Sequence, residues 1–183
     1  MSSPPVRVLC VVAPGFEELE AVAPIDLLRR AGADVVLASL DGEPWVESRN
    51  KLVVRTDVAL DGVNVGDFAL LLLPGGPSVR SLRVDGRARD FAVRFASAKK
   101  PVAAICAAPL ILGDAGLLEG KRFTAHHSTF GELPRALANE RVVTDGLITT
   151  SRGAGTAVDF AFALVRRLFG DHPASEISSD IMA

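Results

Sequence analysis

Cys106 lies at the end of an apolar run in the stretch KKPVAAICAAPLIL, residues 99–112. Ala107 and Ala108 are small enough for a tight turn, and Pro109 suits the first turn of a helix. Free backbone N–H groups at a helix start stabilise an anion, so a thiol placed there becomes more acidic. The pattern predicts a strand–turn–helix elbow that carries a nucleophilic thiolate. An inert thiol at a strand end is the alternative interpretation.

A Gly-rich turn, Gly75-Gly76, ends the apolar stretch LLLLPGG. Backbone N–H groups in such a turn, placed beside a thiolate, would form one half of an oxyanion hole. A tight connection between a strand and a helix explains the two glycines equally well, and their spacing is not that of a phosphate-binding loop.

Three acidic residues, Glu17, Glu18 and Glu20, follow the first apolar run. A cluster of this kind is typical of a solvated helix start, where negative charge is favourable. Glu20, however, is flanked by Leu19 and Ala21. A carboxyl group in a half-apolar pocket has a raised pKa and can relay protons, so Glu20 is the candidate acid–base residue.

Two of the three histidines, His126 and His127, end the predicted strand RFTAH. A histidine at a strand end can serve as the catalytic partner of a thiol, and the spacing alone does not choose between the two. We expect no metal site, because the chain has no CxxC, HxH or HExxH pattern.

The remaining sequence predicts the framework that positions these groups. Pro24 is expected to kink or split the first helix, Asn50 to lie near a turn between short strands in 43–60, and Asp145-Gly146 to form a hairpin turn. The tail from 170 to 183 is polar and is expected to be partly mobile. Strands are predicted at 6–13, 33–40, 68–76, 101–106 and 122–126, and helices at 17–32, 85–100, 108–118 and 156–170.

The predicted strands that alternate with helices are uniformly apolar, which indicates a sheet covered on both faces. The expected fold is therefore α/β and doubly wound, a mostly parallel sheet between helix layers. In such sheets a site forms at the carboxyl ends of the strands. Strand ends at the acidic cluster, at the Gly-rich turn and at Cys106 would then meet at one edge.

Composition limits the function classes. The 183 residues fit one domain over 1–183, and 49% hydrophobic content supplies a substantial core. The net charge of −2, without a basic tract, argues against nucleic acid as the main partner. No apolar run is long enough for a bilayer, and the short run 6–13 argues against a secretory signal. We expect a cytoplasmic protein in which Cys10 is a buried hydrophobe and no disulfide forms.

Several motifs in order resemble the DJ-1/ThiJ/PfpI superfamily, in the branch of the Parkinson-disease protein deglycase. They cover nearly the whole chain: GFEELEAVAPIDLLRRAGADV, LLLPGG, AAICAAP, FTAHH and DGLITTSRGAGTAVDFAFALV. The resemblance implies that Cys106 is the reactive cysteine, Glu20 its protonated acidic partner and His126 the nearby histidine. It also implies backbone donors at Gly76 and Ala107, arginines near the pocket or dimer interface at Arg30 and Arg49, and a homodimer.

The resemblance implies an enzyme without a cofactor that acts on reactive carbonyls. It would be a glutathione-independent glyoxalase that converts methylglyoxal or glyoxal to a hydroxy acid, a deglycase that removes early glycation adducts from proteins or nucleotides, or both. Two alternatives stay open: a sensor of oxidative stress through a Cys106 sulfinate, and a redox-regulated chaperone. The resemblance also implies a fold that is flavodoxin-like and similar to the class I glutamine amidotransferases. Ala107 stands where protease-like relatives have histidine, and His127 and Ala154 stand where relatives in this branch have proline.

Overall fold

The computed structural model describes residues 5–183 and contains a seven-stranded sheet with the order β5-β2-β1-β6-β7-β9-β8. Within these residues, all of its strand pairs are parallel except β8–β9, while β3 and β4 form a separate antiparallel ribbon. The strands are β1 Arg7–Val12, β2 Asp34–Ser39, β3 Trp45–Glu47, β4 Val53–Arg55, β5 Val58–Ala59, β6 Leu70–Leu73, β7 Val102–Ile105, β8 Val142–Asp145 and β9 Ile148–Ser151.

Helices cover both faces of this sheet. They are α1 Glu18–Arg30, α2 Val79–Asp85, α3 Arg87–Ser97, α4 Pro109–Asp114, α5 Ala157–Phe169 and α6 Asp171–Asp180. Successive residues of β1 alternate between two cores: Leu9 packs with α2, α3 and α4, and Cys10 packs with α1, α5 and α6. The predicted doubly wound α/β fold is confirmed, and uniformly apolar strands result because each face has its own helix layer.

The predicted strand over 122–126 does not form. Strand β9 pairs with β7 on one side and with β8 on the other, so this segment cannot pair with β7 or β9. Its backbone bonds go elsewhere: the Thr124 N–H donates to Thr150 Oγ1 at 2.9 Å, and the Phe123 carbonyl accepts from Leu137 N–H at 2.9 Å. An apolar run thus takes an extended path without a strand partner.

Other boundaries differ from the predictions for local reasons. Pro24 is buried inside α1 and does not split it. The hairpin turn lies at Gly146-Leu147, one residue later than predicted, because Asp145 pairs with Ile148. The polar tail forms α6, which buries Ala174 and Ile177 against the core of α1 and α5. No helix in the described range is long and apolar enough to cross a membrane.

Candidate active site

Cys106 occupies the predicted elbow between β7 and α4. Its φ is +65°, a left-handed conformation that non-glycine residues rarely adopt. Its backbone N–H donates to the Ser151 carbonyl of β9 at 2.8 Å, which fixes the turn against the neighbouring strand. Strain of this kind costs about 1–3 kcal/mol and collects at functional sites, so it supports a chemical role for the thiol over an inert one.

Glu20 reaches the thiol from the first turn of α1. The residue is 1% exposed, and its Oε2 accepts the Gly75 N–H at 3.0 Å. The Cys106 thiol and the Ala154 N–H also hydrogen-bond to this carboxyl group. Of the three acidic residues in the cluster, Glu20 is therefore not the solvated helix-start charge; its side chain lies inside the site.

The two titratable groups of this pair perturb each other. Burial raises the pKa of Glu20 from its ordinary 4.5 to about 7, although the hydrogen bonds from Cys106 and Gly75 lower it. Burial and the Glu20 charge raise the pKa of Cys106 from 9.0 to about 12, while the Gly76 and Ala107 N–H groups lower it. Between these two pKa values the pair holds a single proton, located either on the sulfur or on the carboxylate.

The Gly-rich turn places its two glycines in different roles. A Cβ atom on Gly75 would lie 2.5 Å from Glu20 Oε2 and 2.7 Å from Cys106 Cβ, so only glycine fits there. The Gly75 N–H binds Glu20 rather than a substrate oxygen, which corrects its predicted oxyanion role. Gly76, with φ +92°, turns its N–H toward the sulfur, as does Ala107. These two N–H groups form the candidate oxyanion hole.

The rings of His126 and His127 contact each other, with centroids 4.0 Å apart and planes tilted by 38°. The His126 N–H donates to the Cys106 carbonyl at 2.9 Å, and its Nδ1 is hydrogen-bonded to Ser128 Oγ at 2.9 Å. Nε2 is thus the ring nitrogen left for a substrate. Burial, followed by the charges of His127 and Arg49, lowers the pKa of His126 and favours the neutral ring.

The two arginines proposed near the pocket behave differently. Arg49 Nη1 lies 3.4 Å from Glu17 Oε2, and the Glu17 N–H donates to the Gly75 carbonyl at 3.1 Å, so both residues border the site. Arg30 lies at the far end of α1, where it is exposed and pairs with Asp26 at 2.9 Å. The site of this chain therefore does not include its own Arg30.

Sequence reasoning missed the junction between β9 and α5. Ser151 and Ala154 both contact the site, Ser151 through the Cys106 N–H and Ala154 through Glu20. The available signal was the glycine-flanked run SRGAGT directly after a hairpin, which is typical of backbone that approaches another group closely. The described residues contain no group of three or more His, Cys, Asp or Glu that could hold a metal ion.

Comparisons with known proteins agree with this fold. The profile of the DJ-1/PfpI family matches residues 6–167. The chain superposes on the crystal structure of Drosophila melanogaster DJ-1beta with a TM-score of 0.93 and 32% sequence identity, covering 98% of this chain and 99% of that one.

Two curated relatives extend this comparison. "Protein DJ-1 homolog A" of Arabidopsis thaliana is 38% identical over 100% of this chain, which spans 48% of the length of that relative. A Pyrococcus abyssi protein named a deglycase is 33% identical over 82% of this chain and 92% of its own length.

Proposed function

The chain belongs to the DJ-1/PfpI family, and from that premise we propose that it is a cofactor-independent enzyme that acts on reactive aldehydes through Cys106. The single observation that carries the proposal is the buried pair of Cys106 and Glu20, which faces two backbone donors at the carboxyl edge of the sheet. The name of the Pyrococcus relative supports a deglycase or a closely related activity.

The first step is formation of the thiolate and its attack. The thiol proton passes to the Glu20 carboxylate, and the sulfur bonds to the aldehyde carbon of methylglyoxal or glyoxal. The carbonyl electron pair moves to oxygen, and the resulting oxyanion lies where the Gly76 and Ala107 N–H groups point. Protonation of the oxyanion by Glu20 gives a hemithioacetal.

The second step moves hydrogen between adjacent carbons. Glu20 or His126 removes the proton from the carbon bound to sulfur and returns one to the neighbouring carbon through an enediol. The first carbon becomes a thioester and is oxidised, while the second becomes an alcohol and is reduced. Water then cleaves the thioester to the hydroxy acid and free thiol, so no external redox partner is needed.

We further propose a homodimer in the cytoplasm. Leu19 and Val22 on α1 and Trp45 and Val53 on the β3–β4 ribbon are large apolar side chains that the single chain leaves exposed. Exposed apolar residues of this kind are typical of an interface between protein chains. Sedimentation of the purified protein tests the dimer, and Leu19→Glu is expected to shift it to the monomer.

The activity is tested by lactate formation from methylglyoxal without glutathione. The parent is expected to form lactate, and Cys106→Ser is expected to form none, because a serine alcohol stays protonated at this site. Cys10→Ser is the matched control, since Cys10 is fully buried in the sheet and should not affect turnover. Lactate formation by the Cys106→Ser variant would contradict the nucleophile assignment.

A second measurement separates a deglycase from a scavenger of free aldehyde. A preformed glycated peptide is incubated with the enzyme while released aldehyde is continuously trapped. A deglycase should free the peptide from its adduct faster than the aldehyde trap does in the absence of enzyme. A protein that forms no lactate and repairs no adduct, but becomes a Cys106 sulfinate in mild peroxide, would instead be the redox sensor.

A further inference from the structure

A cavity of about 510 Å³ adjoins the thiol site at His126 and Ala154 and continues beyond the reacting groups to Arg152. His126, His127 and Phe130 line one side of it, and residues 152–156 line the other. A cavity of this volume accepts a small organic ligand and greatly exceeds what a three-carbon aldehyde requires.

The charged and ionisable side chains on the cavity lining are one arginine and two histidines. No aspartate or glutamate belongs to that lining, and within residues 5–183 no carboxylate forms an ion pair with Arg152. The neighbouring acidic residue, Asp159, is already bound by Arg141 at 2.7 Å. Arg152 is half-buried at the cavity wall and keeps its guanidinium donors available for a ligand.

The backbone also contributes positive electrostatic potential to this cavity. Residues 154–156 form a single 3-10 turn that leads into α5, so the positive end of a 13-residue helix faces the cavity. Gly153 closes the wall against the His126 ring, because a Cβ atom there would lie 3.4 Å from His126 Cδ2.

Two contacts connect this cavity to the reacting groups. The His126 N–H binds the Cys106 carbonyl, and the Ala154 N–H binds Glu20. A molecule held at Cys106 would have to extend past His126 to reach Arg152. On the opposite side, Gly76 and Ala107 open on a separate cavity of about 490 Å³, whose charged lining residues are Arg80, Arg83 and Asp114.

We propose that the cavity at Arg152 is a subsite for an anionic group, a carboxylate or a phosphate, carried by the molecule that Cys106 attacks. This assignment rests on the proposed function for its reaction and names a substrate class: aldehydes or adducts that bear an anion a few bonds from the carbonyl. Arg152 is the binding residue, because a guanidinium pairs with the two oxygens of such groups.

The test uses alkylation of Cys106 and therefore does not depend on turnover. 3-Maleimidopropionic acid and N-propylmaleimide react alike with thiolates, and they differ in the negative charge at the end of a similar tail. The parent is expected to react about tenfold faster with the acid than with the neutral reagent at low salt, which corresponds to about 1.4 kcal/mol. Mass spectrometry confirms Cys106 as the modified residue.

Matched variants separate the subsite from the general charge of the surface. Arg152→Gln should remove the preference and Arg152→Lys should retain part of it. Arg80→Gln removes a charge on the other side of the thiol and should retain the full preference for the acidic reagent. Equal rates for the two reagents in the parent, or equal losses in Arg152→Gln and Arg80→Gln, would overturn the proposal whether or not the protein forms lactate.

Competition distinguishes the two kinds of anion. Inorganic phosphate or succinate is added at millimolar concentration, and the more effective of the two in slowing the acidic maleimide identifies the preferred group. If the competitor binds at Arg152, neither anion should slow the reaction of Cys106 with N-propylmaleimide. Failure of both anions to slow the acidic reagent would also count against the subsite.

Discussion

At the scale of single residues, the central feature is one proton shared between a thiol and a carboxyl group. Gly75 and Ala154 N–H groups favour the charge on Glu20, while Gly76 and Ala107 N–H groups favour it on the sulfur. The balance of these four donors, together with burial, decides how much thiolate exists at neutral pH. The reactivity of Cys106 is therefore a property of the pair.

Substitution of Glu20 should reveal this sharing. Glu20→Gln keeps a hydrogen-bond donor beside the sulfur but removes the charge that raises the pKa of Cys106, so alkylation near neutral pH should become faster while turnover is lost. Glu20→Leu removes the same charge but also the donor, and burial continues to raise the pKa of the thiol, so this pKa should lie between those of the parent and of Glu20→Gln. The rate at which iodoacetamide modifies Cys106, plotted against pH, measures the thiol pKa of each variant. A Leu variant that titrates like the parent would show that Glu20 does not control the thiol.

His126 gives a second prediction at this scale. His126→Ala should lower turnover by about 10²-fold, the usual contribution of a general acid–base group. His127→Ala should lower it less, because His126 is the histidine whose ring is held by Ser128 through Nδ1 and leaves Nε2 for a substrate. Steady-state kinetics with methylglyoxal measure both variants, and exposed His172→Ala serves as the control. A larger loss in His127→Ala would reverse the assignment.

Residue type and local sequence context predicted roles for Cys106 and Glu20, whereas the choice of His126 over His127 came from the family resemblance, and the roles of all three stay predictions. Sequence reasoning did not assign the Gly75 N–H to Glu20, since a backbone donor has no identity in the sequence. Ala154 was missed as a contact for the same reason: its side chain does nothing in the site and its N–H binds the carboxyl group.

At the scale of elements, the Gly75 turn is where β6, α1 and the elbow approach most closely. Gly75→Ala should abolish turnover and lower the free energy of unfolding by about 1–3 kcal/mol, because the new methyl overlaps Glu20 and Cys106. Gly62→Ala is the matched control, since no atom lies within 4 Å of its added Cβ. Urea unfolding and lactate formation measure the two effects. An active Gly75→Ala variant would contradict the described geometry.

Elements with a continuous apolar run were predictable, because burial on both faces leaves one interpretation for β1, β6 and β7. The segment 122–126 was wrongly predicted as a strand. A strand needs a partner strand as well as a suitable sequence, and the position beside β7 is occupied by β9. Helices α2 and α6 escaped prediction because each is short or polar and buries few side chains, such as Val79 and Leu82 in α2.

At the scale of the whole molecule, Glu20 makes stability depend on pH. Its pKa rises from 4.5 to about 7 on folding, so the native state binds this proton more tightly than the unfolded chain. The stabilisation is fully present below pH 4.5 and is lost as pH rises through 7, about 3 kcal/mol in total.

Glu20→Gln does not titrate and provides the comparison. Relative to this variant, the parent should lose about 3 kcal/mol of unfolding free energy between pH 4 and pH 8, as measured by urea unfolding. Glu119→Gln, at an exposed position, should follow the parent across the same range. Parallel pH profiles for the parent and Glu20→Gln would show that the carboxyl group does not bind its proton more tightly in the fold.

The bond from the Cys106 N–H to the Ser151 carbonyl also has a consequence for biosynthesis. Ribosomes add residues from the N-terminus, so Cys106 emerges before the strand that fixes its turn. Synthesis of the intervening segment takes on the order of several seconds. During that interval the nascent chain carries an ordinary cysteine without its strained elbow. The turn at Cys106 is therefore completed late, when residue 151 arrives and most of the chain that surrounds it has already been synthesised.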